Sequence, residues 1–283
     1  MADSAAGRET VSPVDAGAPP VTPAILVTGA ASGIGAALVD RLVSRGDDVT
    51  GWDIRPGANQ RARYDVVDLT DPAAVTAAAA SLPGRVDGIA NVAGVPGTFP
   101  AQRVLEVNVL GPRRVVDAVI GRVPAGGAVV NVASLAAARN TVPPEGVAAL
   151  RAARDAAGVA AWLAACPLDG SAAYDTSKRA LVEYSTLLAA ELLGRGVRVV
   201  TVSPGPVETP ILADFVASMG ADAIDRSSAA VGRHGRADEV AAAVAFALSP
   251  EASWVNGIEI LVDGGLSALR AAAALTRPEG AAR

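Results

Sequence analysis

The chain has 283 residues, enough for one large α/β domain or two small ones, and 51% of them are hydrophobic while only 3% are aromatic. A net charge of −5, with no basic stripe and no interleaving of aromatic and basic residues, argues against a nucleic-acid partner. A single cysteine, Cys166, and a single histidine, His234, rule out an internal disulfide and a His/Cys zinc cluster, so no metal is expected and a reducing compartment is favoured.

Residues 1–23 lack the positive n-region and apolar h-region of a signal peptide, and their Ala/Gly/Pro/Ser mixture reads as a disordered tail. No apolar run reaches the length of a membrane span, so a cytoplasmic protein without a membrane partner is expected. The first candidate strand is Ala24–Thr28, and it runs into "TGAASGIG". Gly29, Gly33 and Gly35 there permit a tight turn, close approach of backbone to a pyrophosphate and close helix–strand packing. A helix beginning near Ile34 would offer its free N–H groups to phosphate. With 29 glycines in the chain, a chance triplet is easy, but its place between a strand and a helix lifts it above chance.

The second strand, Asp48–Trp52, ends at Asp53, roughly 20 residues beyond the glycine loop, where a carboxylate can accept hydrogen bonds from an adenosine ribose. A 2′-phosphate would meet that carboxylate as a second anion, which favours NAD over NADP, although Arg55 stands two residues on. Further candidate strands are Asp65–Val67, Gly88–Asn91, Ala128–Val132, Val197–Val202 and Ile258–Val262. Most are continuous apolar runs, as parallel strands buried on both faces require, and Ala/Leu-rich helical segments separate them. The alternation predicts an α/β fold: one doubly wound, Rossmann-type domain over 24–267, with a seven-stranded parallel sheet flanked by helices. Residues 268–283 read as a flexible C-terminal tail.

Lys178 is the only lysine among 24 Lys+Arg residues. A lone lysine on a helix is usually a solvated charge, yet compositional bias alone would have placed arginine here. Tyr174 lies one helical turn before it, so both share a helix face. A free tyrosine has a pKa of about 10, and a nearby ammonium is expected to lower it toward the working range. Alone, Ser134, Asn108 and Asp68 read as turn or capping residues.

The motifs "TGAASGIG", "NVAG" (91–94), "VNVLG" (107–111), "VVNVASLA" (129–136), "YDTSK" (174–178) and "SPGPVETPI" (203–211) follow one another in an order that resembles the short-chain dehydrogenase/reductase superfamily. The likeness covers residues 24–266. It implies that Tyr174 is the catalytic acid/base, that Lys178 lowers its pKa and holds the nicotinamide ribose, and that Ser134 binds the substrate oxygen. It implies that Asn108 holds a water in a proton relay. Asn91, Ala93 and Gly94 would line the cofactor cleft, and Asp68 and Leu69 would sit beside adenine. Val207 and Thr209 would meet the nicotinamide carboxamide, with Ser32, Ile34, Pro204 and Gly205 as further cofactor contacts.

In the common form of that superfamily the serine and tyrosine lie much closer in sequence; here 40 residues separate them. The segment 136–170 reads as a helical insertion of one or two helices, with Pro143-Pro144 as a start, Val147, Leu150, Val159, Trp162 and Leu163 as apolar positions, and Pro167 as a stop. It resembles the insertion of the bacterial 3α-hydroxysteroid dehydrogenase/carbonyl reductase and coniferyl-alcohol dehydrogenase subgroup. The expected partner is a small alcohol or ketone substrate, apolar and cyclic or aromatic, walled by Ala136–Val142 and Ile211–Val231. A homo-oligomer is expected, a dimer rather than a tetramer, formed through the sheet edge near Ile258–Val262 or through the insertion. Two other readings stay open: a non-redox lyase or epimerase of the same fold, and a catalytically silent nucleotide sensor.

Overall fold

Alternate residues of each central strand feed opposite core layers, which is why the strands read as unbroken apolar runs. The computed structural model describes residues 22–209 and 229–276. Strands β1 (Ala24–Thr28), β2 (Asp48–Asp53), β3 (Arg63–Val66), β4 (Gly88–Asn91), β5 (Ala128–Val132), β6 (Arg198–Pro204) and β9 (Glu259–Val262) form one parallel sheet in the order β3-β2-β1-β4-β5-β6-β9. A separate pair, β7 (Val207–Glu208) and β8 (Gly235–Arg236), closes a loop beyond the end of β6. In β1, Ile25 and Val27 face one layer, packed against α1 (Gly33–Arg45) and α8 (Ala237–Leu248). Leu26 faces the other, packed with side chains of α2 (Pro72–Ser81), α4 (Gly111–Val119) and α7 (Gly170–Leu192).

From β1 the chain builds outward through β2 and β3, then returns to place β4 on the other side of β1. This reversal opens a crevice at the carboxyl ends of β1 and β4, where doubly wound sheets bind ligands.

The expected insertion is two helices, α5 (Pro144–Ala152) and α6 (Ala156–Ala165), preceded by a 3₁₀ turn at Leu135–Arg139. Pro144 takes the first helical position of α5, where its missing N–H costs nothing. Asp155 caps α6 through the Gly158 N–H at 2.8 Å, and Asp169 caps α7 through the Ala172 N–H at 2.7 Å. Val147, Leu150, Val159 and Trp162 are buried together with Val104, Leu105 and Leu110 in a third core. The Trp162 indole N–H donates to the Gly146 carbonyl at 2.8 Å, which joins the two inserted helices. Arg113 of α4 donates to the carbonyls of Arg151 and Ala153 and thereby holds the end of α5.

The structure departs from the sequence reading at several ends. The third strand begins earlier, at Arg63, and as an edge strand it has only β2 to set its limits. The sixth continues to Pro204, and the helix carrying Tyr174 and Lys178, α7, starts four residues before Tyr174. Within the tail expected over 268–283, α9 spans Leu266–Leu275, and residues 277–283 lie outside the described residues. Asp263 accepts from the Gly265 and Ser267 N–H groups at 2.9 and 2.7 Å, and the alanine-rich run that follows has high helix propensity. The tail expected over 1–23 falls outside the described residues up to position 21.

Candidate active site

The glycine loop joins β1 to α1 at the crevice. Gly29 has φ +68°, and a Cβ there would lie 2.8 Å from the Ala93 backbone; a Cβ at Gly35 would collide with the Gly29 carbonyl oxygen. Only hydrogen fits at either place, so the loop can bring its backbone close to a ligand. Ser32, at the start of α1, makes no side-chain cap. Its hydroxyl and the first N–H groups of the helix are thereby left for an anion.

Asp53 ends β2 beside this loop. One carboxylate oxygen accepts the Ala31 N–H at 3.0 Å and the other the Arg55 N–H at 3.2 Å, which fixes the group and leaves each oxygen a second lone pair. Farther along the wall, Asp68 accepts from the Thr70 N–H and hydroxyl at 2.9 and 2.8 Å and pairs with Arg103 at 3.2 Å. Burial works against the Asp68 carboxylate, but these hydrogen bonds and the guanidinium outweigh it and hold its pKa below the usual range.

At the opposite end, Ser134 leads into the 3₁₀ turn, its Oγ accepting the Ala136 N–H at 3.1 Å. Tyr174 is 8% exposed and hydrogen-bonded to Ser134. Lys178, 5% exposed, donates to the Val132 carbonyl at 3.1 Å, and its Nζ stands 5.6 Å from the centre of the Tyr174 ring. A Cβ on Gly94 would lie 3.2 Å from Asn108 Oδ1 and 3.4 Å from Lys178 Nζ, so these three residues converge.

The electrostatics correct one expectation. Tyr174 is not lowered by Lys178: burial pushes its pKa up to about 12, against the hydrogen bond from Ser134. Burial likewise pushes Lys178 down to about 8. Tyr174 is packed in the third core and Lys178 is buried beside its ring, so desolvation wins for both. At neutral pH Tyr174 is a phenol, a proton donor, and Lys178 is a cation.

A cleft of about 470 Å³ gathers the predicted residues Gly29, Ser32, Gly33, Ile34, Gly35 and Asp53 at one end. Asp68, Leu69, Ala93 and Gly94 follow along its wall, then Ser134, Tyr174 and Lys178, with Pro204, Gly205, Val207 and Thr209 opposite. Two predicted residues do not reach it. Asn91 is buried within β4, where its side-chain amide donates to Asn131 at 2.8 Å. Asn108 sits behind Gly94, on a π turn over Glu106–Leu110 that joins α3 (Ala101–Leu105) to α4. Its side chain donates to the Val95 carbonyl and Ser177 hydroxyl and accepts the Val95 N–H, all at 2.9–3.1 Å. The side chain is thereby engaged within the protein, on a π turn, an irregularity frequent at functional sites.

Of the expected pocket wall, Ala136 and Arg139 line the cleft, while Val142 packs in the third core. Within Ile211–Val231, residues 211–228 lie outside the described residues. Sequence reasoning missed Phe99, Arg103, Leu266 and Arg270, which also line the cleft. It missed Asp175 too, which binds Arg139 through two hydrogen bonds of 3.0 and 2.6 Å beside the tyrosine. An acidic residue next to the tyrosine and an arginine at the end of the serine turn were the available signal.

Residues 23–156 match the family described as short chain dehydrogenase, and residues 156–267 match the one described as enoyl-(acyl carrier protein) reductase. The chain is 38% identical over 250 residues to coniferyl-alcohol dehydrogenase of Pseudomonas sp. strain HR199, covering 86% of this chain and 96% of the relative. It resembles the 3-alpha-hydroxysteroid dehydrogenase from Pseudomonas sp. B-0831, solved in complex with NADH, with a TM-score of 0.77 and 33% identity over 88% of this chain and 98% of that one. A short chain dehydrogenase from Burkholderia cenocepacia J2315, solved with NADP, gives a TM-score of 0.67 and 28% identity, covering 87% and 98%.

Proposed function

Because this chain belongs to the short-chain dehydrogenase/reductase family, we propose that it is an NAD-dependent oxidoreductase interconverting an apolar, cyclic or aromatic alcohol and its carbonyl product, a ketone where the alcohol is secondary and an aldehyde where it is primary. The observation that carries this reading is the meeting of Ser134, Tyr174 and Lys178 at one end of a cleft whose other end is the glycine cradle. A nicotinamide cofactor supplies the hydride acceptor, or in reverse the donor. The chain's residues do the rest. Ser134 donates its hydroxyl hydrogen to the substrate oxygen and fixes it beside the phenol. Tyr174 gives a proton to that oxygen in reduction and takes it back in oxidation. Lys178 stabilises the phenolate that appears in between and offers its remaining N–H groups to ribose hydroxyls.

Two features support NAD over NADP. The Asp53 carboxylate is fixed by backbone N–H groups of Ala31 and Arg55, so it cannot easily turn from a second anion. The glycine loop offers Ala30, Ala31 and Ser32, none of them cationic. Val95, Phe99, Leu135 and Leu266 in the cleft wall support an apolar substrate. For assembly, we propose a homodimer through the outer edge of β9, which pairs only with β6 among the described residues and exposes Leu261, with Ile258 exposed just before the strand.

Purified protein mixed with NAD⁺ and a panel of steroid, terpenoid and aryl alcohols, or with NADH and the matching ketones, tests the activity through absorbance at the NADH band. Turnover with at least one cyclic or aryl substrate is expected. Bound cofactor without any redox change across the panel would refute the oxidoreductase reading.

A further inference from the structure

Two consecutive residues of the cleft wall, Asp68 and Leu69, and Thr70 just after them are gripped by a single helical stack, whose Arg103 also borders the cleft. That stack is α3, the π turn and α4, running without a break from Ala101 to Val119. Before the π turn, Arg103 sends one guanidinium nitrogen to the Thr70 hydroxyl at 2.7 Å and another to Asp68 Oδ2 at 3.2 Å. After it, Arg114 donates to the Leu69 carbonyl at 2.9 Å. Between them Gly111 lets Leu69 close onto the helix, since a Cβ there would lie 3.3 Å from the Leu69 Cβ.

The Asp68 oxygens are loaded unequally. Oδ1 takes the Thr70 N–H, the Thr70 hydroxyl and Arg103 at 3.5 Å, while Oδ2 takes Arg103 alone, at 3.2 Å, and keeps a lone pair. Asp68 and Leu69 both face the cleft.

We propose that Arg103 and Arg114 are positioning residues for the adenine end of the cleft: together they hold Asp68 so that its free lone pair, and Leu69 so that its apolar face, meet the adenine ring. This rests on the dinucleotide reading above. Arginine suits the first position because its planar fork reaches Thr70 and Asp68 at once, which a single ammonium cannot do with the same geometry. The brace acts at the adenine end, where the hydrogen bonds of Arg103 and Arg114 go to Asp68, Leu69 and Thr70. The same stack carries Asn108, so one rigid element sets the adenine wall and the backbone behind Gly94.

The test is calorimetric titration of the full chain with AMP, alongside fluorescence titration with reduced nicotinamide mononucleotide, for wild type, Arg103→Met, Arg103→Lys and Arg114→Met. AMP affinity is expected to fall about tenfold in Arg103→Met, which corresponds to about 1.4 kcal/mol, and by a smaller factor in Arg114→Met. Arg103→Lys should recover part of the loss, and affinity for the nicotinamide mononucleotide should hold in all variants. Unchanged AMP affinity in Arg103→Met, or an equal loss for both mononucleotides, overturns the brace and leaves the dinucleotide reading standing. Wild-type protein that binds neither mononucleotide overturns both.

Discussion

Lys178→Met should make the protein more stable while removing its turnover. The ammonium is 5% exposed and makes one hydrogen bond, to the Val132 carbonyl. Burial takes its pKa from an ordinary 10.5 to about 8, which corresponds to a penalty of about 3 kcal/mol on the charged form at pH 7. Losing the charged hydrogen bond offsets about 1.5 kcal/mol of the relief. Methionine fills similar volume without charge, so a net gain of about 1–2 kcal/mol is expected, or a melting temperature higher by about 2–4 °C per kcal/mol for a chain of this size. The pH dependence has a definite sign. Between pH 8 and 10.5 the unfolded lysine holds a proton that the folded one has released, so wild-type stability gains with pH relative to the variant. The advantage of Lys178→Met is therefore full below pH 8 and gone above about 10.5. Urea unfolding followed by circular dichroism, run on both proteins from pH 7 upward, measures it. A variant less stable than wild type at pH 7, or a difference that does not change with pH, would show that the ammonium is not held at a cost.

Tyr174→Phe should keep NADH binding, read by fluorescence, and lose turnover by a factor of about 10²–10⁴, the usual worth of a positioned acid/base. In wild type, catalytic efficiency should favour NAD over NADP by at least about tenfold, and Asp53→Ala should narrow the ratio; equal use of both cofactors by wild type would hand control of that pocket to Arg55. Trp162→Ala should cost about 3–5 kcal/mol in urea unfolding, because the indole is buried and also joins the two inserted helices. Light scattering should report a dimer, and a charge placed at Leu261 should dissociate it; a stable tetramer would refute assembly through β9 alone.

Much of the architecture was legible because its signals are local. Continuous apolar runs give a central strand its identity without reference to partners, and β1, β4 and β5 fall where the runs do. Edge strands carry weaker signals, since one side answers to solvent, and the largest shift is at edge strand β3, which begins at Arg63 rather than Asp65, whereas β6 and β9 each begin one residue later than expected. The glycine loop was legible for a second reason: steric needs at Gly29 and Gly35 admit one residue type. The π turn at Asn108 and the grip of Arg103 and Arg114 on Asp68–Thr70 were not legible. Both depend on which segments meet across 30 or more residues, and no periodicity encodes that. The sign of the Tyr174 shift failed likewise. Spacing supplied a nearby charge, but the burial that outweighs it comes from the insertion and from α3, both remote from Tyr174 in sequence until folded.

That shared third core has a consequence for how such chains diverge. Tyr174 and Ala173 belong to the same packed cluster as Val147, Leu150, Val159 and Trp162, so the inserted helices and the phenol are not separable modules. A transplant that shortened residues 140–169 would strip a wall from the phenol and reset its acidity together with the shape of the pocket. Pocket shape and phenol acidity are thus tied together here, and a change in one through this segment drags the other with it.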